Sequence, residues 1–263
     1  MRKAVSKLSL LLLSLLLVGC ITTTISPYDD KKDLAKAEQT YVQIGYGYFE
    51  QGNMQEAKRA LTKALDINSK SAGAHMGLAR VYDRELEYDL AEHHFKKALR
   101  YEETTEGHFQ FGVYLYNRGD LKGAYREFKD VLKDTIYVRR ARAFEYQGVV
   151  ANRLEKTDEA IGYFKRAVTL NPMLANSHIG LTNIYFAQQD YAAAYKQYNE
   201  FVGLVRGQLS RHSAATLWLG IQLADMAGDS NAVSSLILQL RNQFADSAEY
   251  QNYLKWKAEK DAS

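Results

Sequence analysis

Six alanines recur along this chain at a nearly fixed interval. They are Ala57, Ala91, Ala124, Ala160, Ala194 and Ala232, separated by 34, 33, 36, 34 and 38 residues. Twelve residues before each stands a small residue: Gly45, Ala79, Gly112, Gly148, Thr182 and Gly220. Three residues after the small one comes a large one (Tyr48, Tyr82, Leu115, Tyr185 or Leu223), with Ala151 the exception. Four residues after the alanine comes Leu61, Phe95, Phe128, Phe164, Tyr198 or Leu236. Three further on are Ala64, Ala98, Val131 and Ala167, and the pattern weakens at Phe201 and Gln239. Offsets of three and four place residues on one helical face. A period in this range means a stack of like units, none of which buries its apolar face alone. With only 2 prolines among 263 residues, 46% of them hydrophobic, the expectation is an all-α array with a continuous core.

The period and its slots resemble the tetratricopeptide repeat, a helix–turn–helix unit of 34 residues. The resemblance implies a right-handed superhelical solenoid of about six repeats with a C-terminal capping helix. The repeats are expected near 38–71, 72–104, 105–140, 141–174, 175–212 and 213–245. The small residue of helix A and the alanine of helix B should let the two axes approach closely. Gly52-Asn53, Gly119-Asp120, Gln189-Asp190 and Gly228-Asp229 supply turn chemistry between the helices, and Thr157-Asp158-Glu159 reads as a helix start at the same point of repeat four. The wider spacing late in the chain suggests a distortion around Gly203 to Ser213. Asp246 with Glu249 resembles a capping box opening a terminal helix with Tyr250, Tyr253, Leu254 and Trp256 on one side.

The N-terminus reads as an address. Arg2, Lys3 and Lys7 precede an apolar run from Leu8 to Val18, too short to span a bilayer. The run ends in Leu17-Val18-Gly19-Cys20, which resembles a bacterial lipobox. The expected organisation is a signal peptide over 1–19, a lipidated Cys20 and flexible tether over 20–37, and the repeat array over 38–258. Cys20 is the only cysteine of the chain, which excludes an internal disulfide framework. Ile21 stands where an aspartate would favour retention in the inner membrane, so the lipobox resemblance implies a protein anchored in the outer membrane of a Gram-negative bacterium, facing the periplasm. The formal net charge is +3; without the three leader cations, 31 basic residues balance 31 acidic ones. That balance argues against a nucleic-acid partner.

Catalytic signatures do not appear: the chain has no GxSxG, Walker loop, GxGxxG or HExxH. No enzyme activity, no small-molecule substrate and no cofactor beyond the covalent lipid on Cys20 is expected. His75, His108 and His178 share one slot, four residues before the small helix-A position. They belong to separate repeats, roughly 10 Å or more apart, which is too far to share one metal ion. Packing is the expected role, and no metal site is assigned.

In the tetratricopeptide fold helix A lines a concave groove. The positions counted as facing it are Tyr46, Phe49, Met76, Arg80, Arg84, Phe109 and Tyr116, with Val42 and Val113 beside them and Arg142, Glu145, Val149 and Arg153 in repeat four. Aromatic and Met anchors flanked by Arg suit a protein partner. The last repeat carries further detail: Leu217-Trp218-Leu219-Gly220-Ile221, then Leu238-Gln239-Leu240-Arg241-Asn242-Gln243-Phe244, then Ser247-Ala248-Glu249-Tyr250. With the lipobox and six repeats, these segments resemble the PilF/PilW family of type IV pilus biogenesis lipoproteins. The resemblance implies a pilotin, which binds the secretin subunit and promotes its localisation and multimerisation in the outer membrane. The alternative is a lipoprotein adaptor that scaffolds peptidoglycan hydrolases or proteases, or serves outer-membrane protein assembly.

Overall fold

The computed structural model describes residues 27–262; Cys20 and the leader lie outside the described residues. Thirteen α-helices and no strand occur among the described residues. Two units divide between Val81 and Tyr82. The first holds α1 (Pro27–Glu50), α2 (Met54–Ile67) and most of α3 (Ala72–Arg84). The second holds the end of α3, then α4 (Tyr88–Tyr101), α5 (Thr105–Arg118), α6 (Leu121–Val131), α7 (Arg140–Arg153), α8 (Thr157–Leu170), α9 (Ala175–Ala187), α10 (Tyr191–Arg206), α11 (Ala214–Met226), α12 (Ser230–Gln243) and α13 (Ala248–Asp261). Among the described residues α1 pairs with α2, α5 with α6, α7 with α8, α9 with α10 and α11 with α12, and α13 packs on α11.

Each A-to-B turn closes in the same way. The helix-A residue in the left-handed region is Gly52, Leu86, Gly119, Glu155, Gln189 or Gly228, with φ between 60° and 83°. The next N–H reaches back five residues: Asn53 to Tyr48, Glu87 to Tyr82, Asp120 to Leu115, Lys156 to Ala151, Asp190 to Tyr185 and Asp229 to Ala224. This is a Schellman ending, which satisfies carbonyls that the last helical turn leaves open. Asp120, Asp190 and Asp229 then cap the following helix, each accepting from the N–H three residues on.

The small helix-A residues do more than let two backbones approach. A Cβ added at Gly45 would lie 2.5 Å from Leu61, at Gly112 2.9 Å from Phe128, and at Gly148 2.8 Å from Phe164. The large residue of helix B therefore seats in the notch left by the glycine of its own helix A. Leu61 also fills the notch at Gly77, and Phe164 the one at Gly180. Leu61, Phe128 and Phe164 are buried, each such side chain contributing about 1.5–3 kcal/mol of transfer free energy.

Two expected boundaries move. The tether expected over 20–37 is helical from Pro27 onward. Proline is tolerated at a first helical position, where its missing N–H has no intrahelical partner, and Ala35, Lys36, Ala37 and Glu38 are good helix formers. The terminal helix is capped by Ser247, whose side chain accepts from Tyr250 N–H, and not by Asp246. The capping box lies elsewhere, at Ser213 and Thr216 opening α11.

Candidate protein-binding site

In the first unit the expected groove residues gather around one guanidinium. Arg80 lies 4.3 Å from the ring centre of Phe49 and 5.5 Å from that of Tyr46, and it pairs with Glu50 at 2.9 Å. Tyr46 donates its hydroxyl to the Gly73 carbonyl at 3.3 Å. Phe49 is only 7% exposed, so it is a core residue and not part of an open strip. Its neighbour Arg80 occupies the ring face that a partner would need. Tyr46, Met76 and Arg80 are half-buried and retain surface.

The second unit corrects the expectation more strongly. Phe109 is 5% exposed and sits at the centre of an aromatic cluster. Phe128 and Tyr146 meet it edge-to-face with ring centres at 6.0 and 5.9 Å, Tyr137 is tilted against it at 5.9 Å, and the Arg139 guanidinium covers it at 4.3 Å. Tyr116 meets Tyr146 edge-on at 5.9 Å and carries Arg153 at 5.5 Å. Tyr146 also stacks on Phe128 at 5.2 Å. Helical-face counting did not select Tyr146, although it joins α7 to the rings of α5 and α6. Glu145, counted as outward, is buried; it accepts from Ser177 Oγ at 2.9 Å and from Arg142 at 2.5 Å. Arg84 and Arg153 are exposed, and Tyr116 is half-buried.

A loop outside any helix closes the cluster. Tyr137 donates to Glu106 Oε2 at 2.7 Å, Arg139 Nε donates to the Tyr137 oxygen at 3.0 Å, and Arg139 also pairs with Glu106. Burial opposes ionisation of Glu106, but hydrogen bonds from Arg139, Tyr137 and Gln110 outweigh it and hold the carboxyl below its ordinary value. Burial and the Glu106 carboxylate both push the Tyr137 phenol up. Tyr137 thus points inward while its neighbours Ile136 and Val138 are 89% and 92% exposed. No helical period marks this segment, which is why the sequence pattern passed over it.

The three slot-sharing histidines hold loops to helices. His75 Nε2 lies 3.3 Å from the Ser69 carbonyl, and His178 Nε2 lies 3.0 Å from that of Pro172. His178 Nδ1 is 3.0 Å from Gln197. His108 bridges Glu127 at 2.7 Å and Glu103 at 3.3 Å. The Glu127 hydrogen bond raises the His108 pKa against the effect of burial, with Glu103 assisting. No group of three metal-ligating side chains occurs among the described residues.

The described residues form helical hairpins, and the chain is similar to proteins of that architecture. Models of the tetratricopeptide repeat match residues 48–108 and 109–173. The type IV pilus assembly protein PilF of Pseudomonas aeruginosa is 32% identical over 244 residues, 92% of this chain and 95% of that protein. The chain belongs to the PilF family. The solved structure of Pseudomonas aeruginosa PilF matches with a TM-score of 0.76 at 31% identity, over 85% of this chain and 99% of that one. PilW, a widely conserved type IV pilus biogenesis factor, shares the fold of this family member with a TM-score of 0.68 at 21% identity, over 82% of this chain and 98% of that one.

Proposed function

We propose that this protein is a type IV pilus biogenesis factor acting as a pilotin: it binds the secretin subunit and promotes that subunit's outer-membrane localisation and multimerisation. The observation that carries the reading is end-to-end similarity to PilF, which extends through all the repeats and leaves neither chain with a large unmatched region. The chemistry of the exposed residues agrees with a protein partner. Met76, Tyr46 and Arg80 in the first unit, and Tyr116, Arg84 and Arg153 in the second, combine apolar surface with guanidinium donors. Phe49 serves the first of these surfaces from beneath, by fixing Arg80 on its ring. The proposed anchor is acyl lipid on Cys20. Several acyl chains on one residue hold a protein stably at a membrane, each buried methylene contributing about 0.8 kcal/mol.

Deletion followed by blotting for secretin multimers in the outer-membrane fraction tests this. Loss of multimers, restored by the wild-type chain, is expected. Normal multimers in the deletion strain would refute a pilotin. Cys20→Ala tests the anchor separately: palmitate label retained in that variant would remove the lipid from the reading.

A further inference from the structure

The connection from α10 to α11 borders an open groove. α10 runs to Arg206, and residues 207–213 follow before α11 begins at Ala214. Between α10, this loop and α12 lie two cavities of about 620 and 370 Å³, which share Val205, His212 and Gln239 in their walls. His212 packs edge-on against Phe201 at 5.3 Å, so the loop is seated on the core and the groove is part of the fold.

Three properties of the walls specify an occupant. First, α12 lines the groove with Asn231, Ser235, Gln239 and Gln243, four residues apart each time. Along a helix that spacing is about 6 Å. An extended polypeptide presents the N–H and C=O of every second residue along one edge, a repeat of about 6.8 Å. The Asn and Gln amides and the Ser235 hydroxyl both donate and accept, and so match a peptide edge without selecting its side chains. Second, Arg206 and Arg211 reach the groove, and neither forms an ion pair or ring contact among the described residues. The one carboxylate in the walls, Asp229, is already engaged by Ala232 N–H at 3.0 Å and Tyr195 OH at 2.9 Å. Two guanidiniums against one carboxylate leave the groove walls with a net positive charge. Third, Val202, Val205 and Leu236 supply apolar surface between these polar groups.

We infer that the groove between α10 and α12 binds an extended, acidic peptide segment of a protein partner, with its backbone along the polar row of α12 and its carboxylates on Arg206 and Arg211. This site is separate from the surfaces assigned to the secretin above, and the inference does not depend on that assignment.

Fluorescence anisotropy with the full chain and a labelled peptide of the repeating sequence Glu-Thr-Glu-Val tests it, against peptides with Gln or Lys in place of Glu. The Glu peptide should bind, the Gln peptide more weakly and the Lys peptide not at all. The double variant Arg206→Glu, Arg211→Glu should weaken the Glu peptide at least about tenfold, the loss expected of charge-assisted hydrogen bonds. The double variant Asn231→Ala, Gln239→Ala should weaken Glu and Gln peptides alike. Wild-type circular dichroism and melting of both variants would exclude a folding defect, since Arg206, Arg211 and Asn231 are exposed. Absence of Glu-peptide binding, or binding unchanged in the arginine variant, would overturn the proposal. So would phosphatidylglycerol vesicles binding through these arginines while the peptide does not, which would make the groove a lipid contact.

Discussion

The hairpins around α5, α6 and α7 and those around α10, α11 and α12 share one repeat register but treat arginine in opposite ways. In the first region Arg139 lies on Phe109 and pairs with Glu106, Arg153 covers Tyr116, and Arg140 covers Phe144. In the second, Arg206 and Arg211 stand at the rim of a cavity without an ion partner among the described residues. The connections explain the contrast. Residues 132–139 fold back over α5 through Tyr137 and Glu106 and close the aromatic cluster. Residues 207–213 seat one side chain, His212, on the core and leave the space beside it open. The repeat pattern thus sets where helices lie, while the irregular connections decide whether an inter-helix space becomes core or binding surface.

The largest effect should come from emptying the closed region. Phe109→Ala removes a buried ring at the centre of four contacts and should cost about 3–5 kcal/mol of stability. A half-buried ring at the edge of the open groove, Phe244, should cost far less when cut to Ala. Melting curves of the two variants decide the matter; comparable losses would erase the distinction between the regions.

Glycines offer a second comparison. Gly148→Ala drives a methyl group to 2.8 Å from Phe164, and overpacking of this kind costs about 1–3 kcal/mol. Gly203 of α10 has nothing within 4 Å of the added Cβ, so Gly203→Ala should stabilise by up to about 1 kcal/mol through helix propensity alone. Urea titration of both variants should give opposite signs. A destabilising Gly203→Ala would mean that α10 is closed on that side.

Much of this was legible in the sequence, but for residues of one type of environment. Helix pairs, their turns and the notch-and-ring packing follow from periodic small and large residues, because a helix imposes its period on whatever it buries. Phe49 and Phe109 were misplaced because face counting treats a helix as bare, whereas Arg80 and the 132–139 segment lie over those rings. Tyr146 was passed over because its flanking positions, Glu145 and Val149, fitted the outward series. The tether expected over 20–37 stops being one at Pro27 because proline is tolerated at a first helical position. The groove beside α12 leaves one trace, the irregular spacing around Gly203 to Ser213; its polar row is visible as Asn231, Ser235, Gln239 and Gln243 only once α12 is known to face a cavity.

Protonation should separate the regions as well. His108, held by Glu127, has a raised pKa in the native state, so its contribution to stability is complete below the unfolded value of about 6.5 and fades as pH rises through the native one. Burial lowers the pKa of His212, so its contribution is present above about 6.5 and is lost as pH falls below that. His108→Gln should therefore destabilise more at about pH 5.5 than at about pH 7.5, and His212→Gln the reverse. Denaturation midpoints at the two pH values check this, and the same sign for both would contradict the assigned environments.

The smallest effect tests whether the two regions differ anywhere except in their side chains. Glu155 closes the A-to-B turn of the closed region and Gln189 the one leading into α10; their φ angles are 61° and 60°. A residue with a Cβ pays about 1–2 kcal/mol in the left-handed region. Glycine avoids that strain but loses about 0.5–1 kcal/mol more chain entropy on folding. Both side chains are exposed, so removing them empties no core. Glu155→Gly and Gln189→Gly should each stabilise by at most about 1 kcal/mol, and by equal amounts, because the Schellman hydrogen bonds are the same at both turns. Gly119→Ala, at φ 83°, should destabilise by a similar amount. Unequal increments at 155 and 189 would locate part of the difference between the regions in the hairpins themselves, not in the connections that follow them.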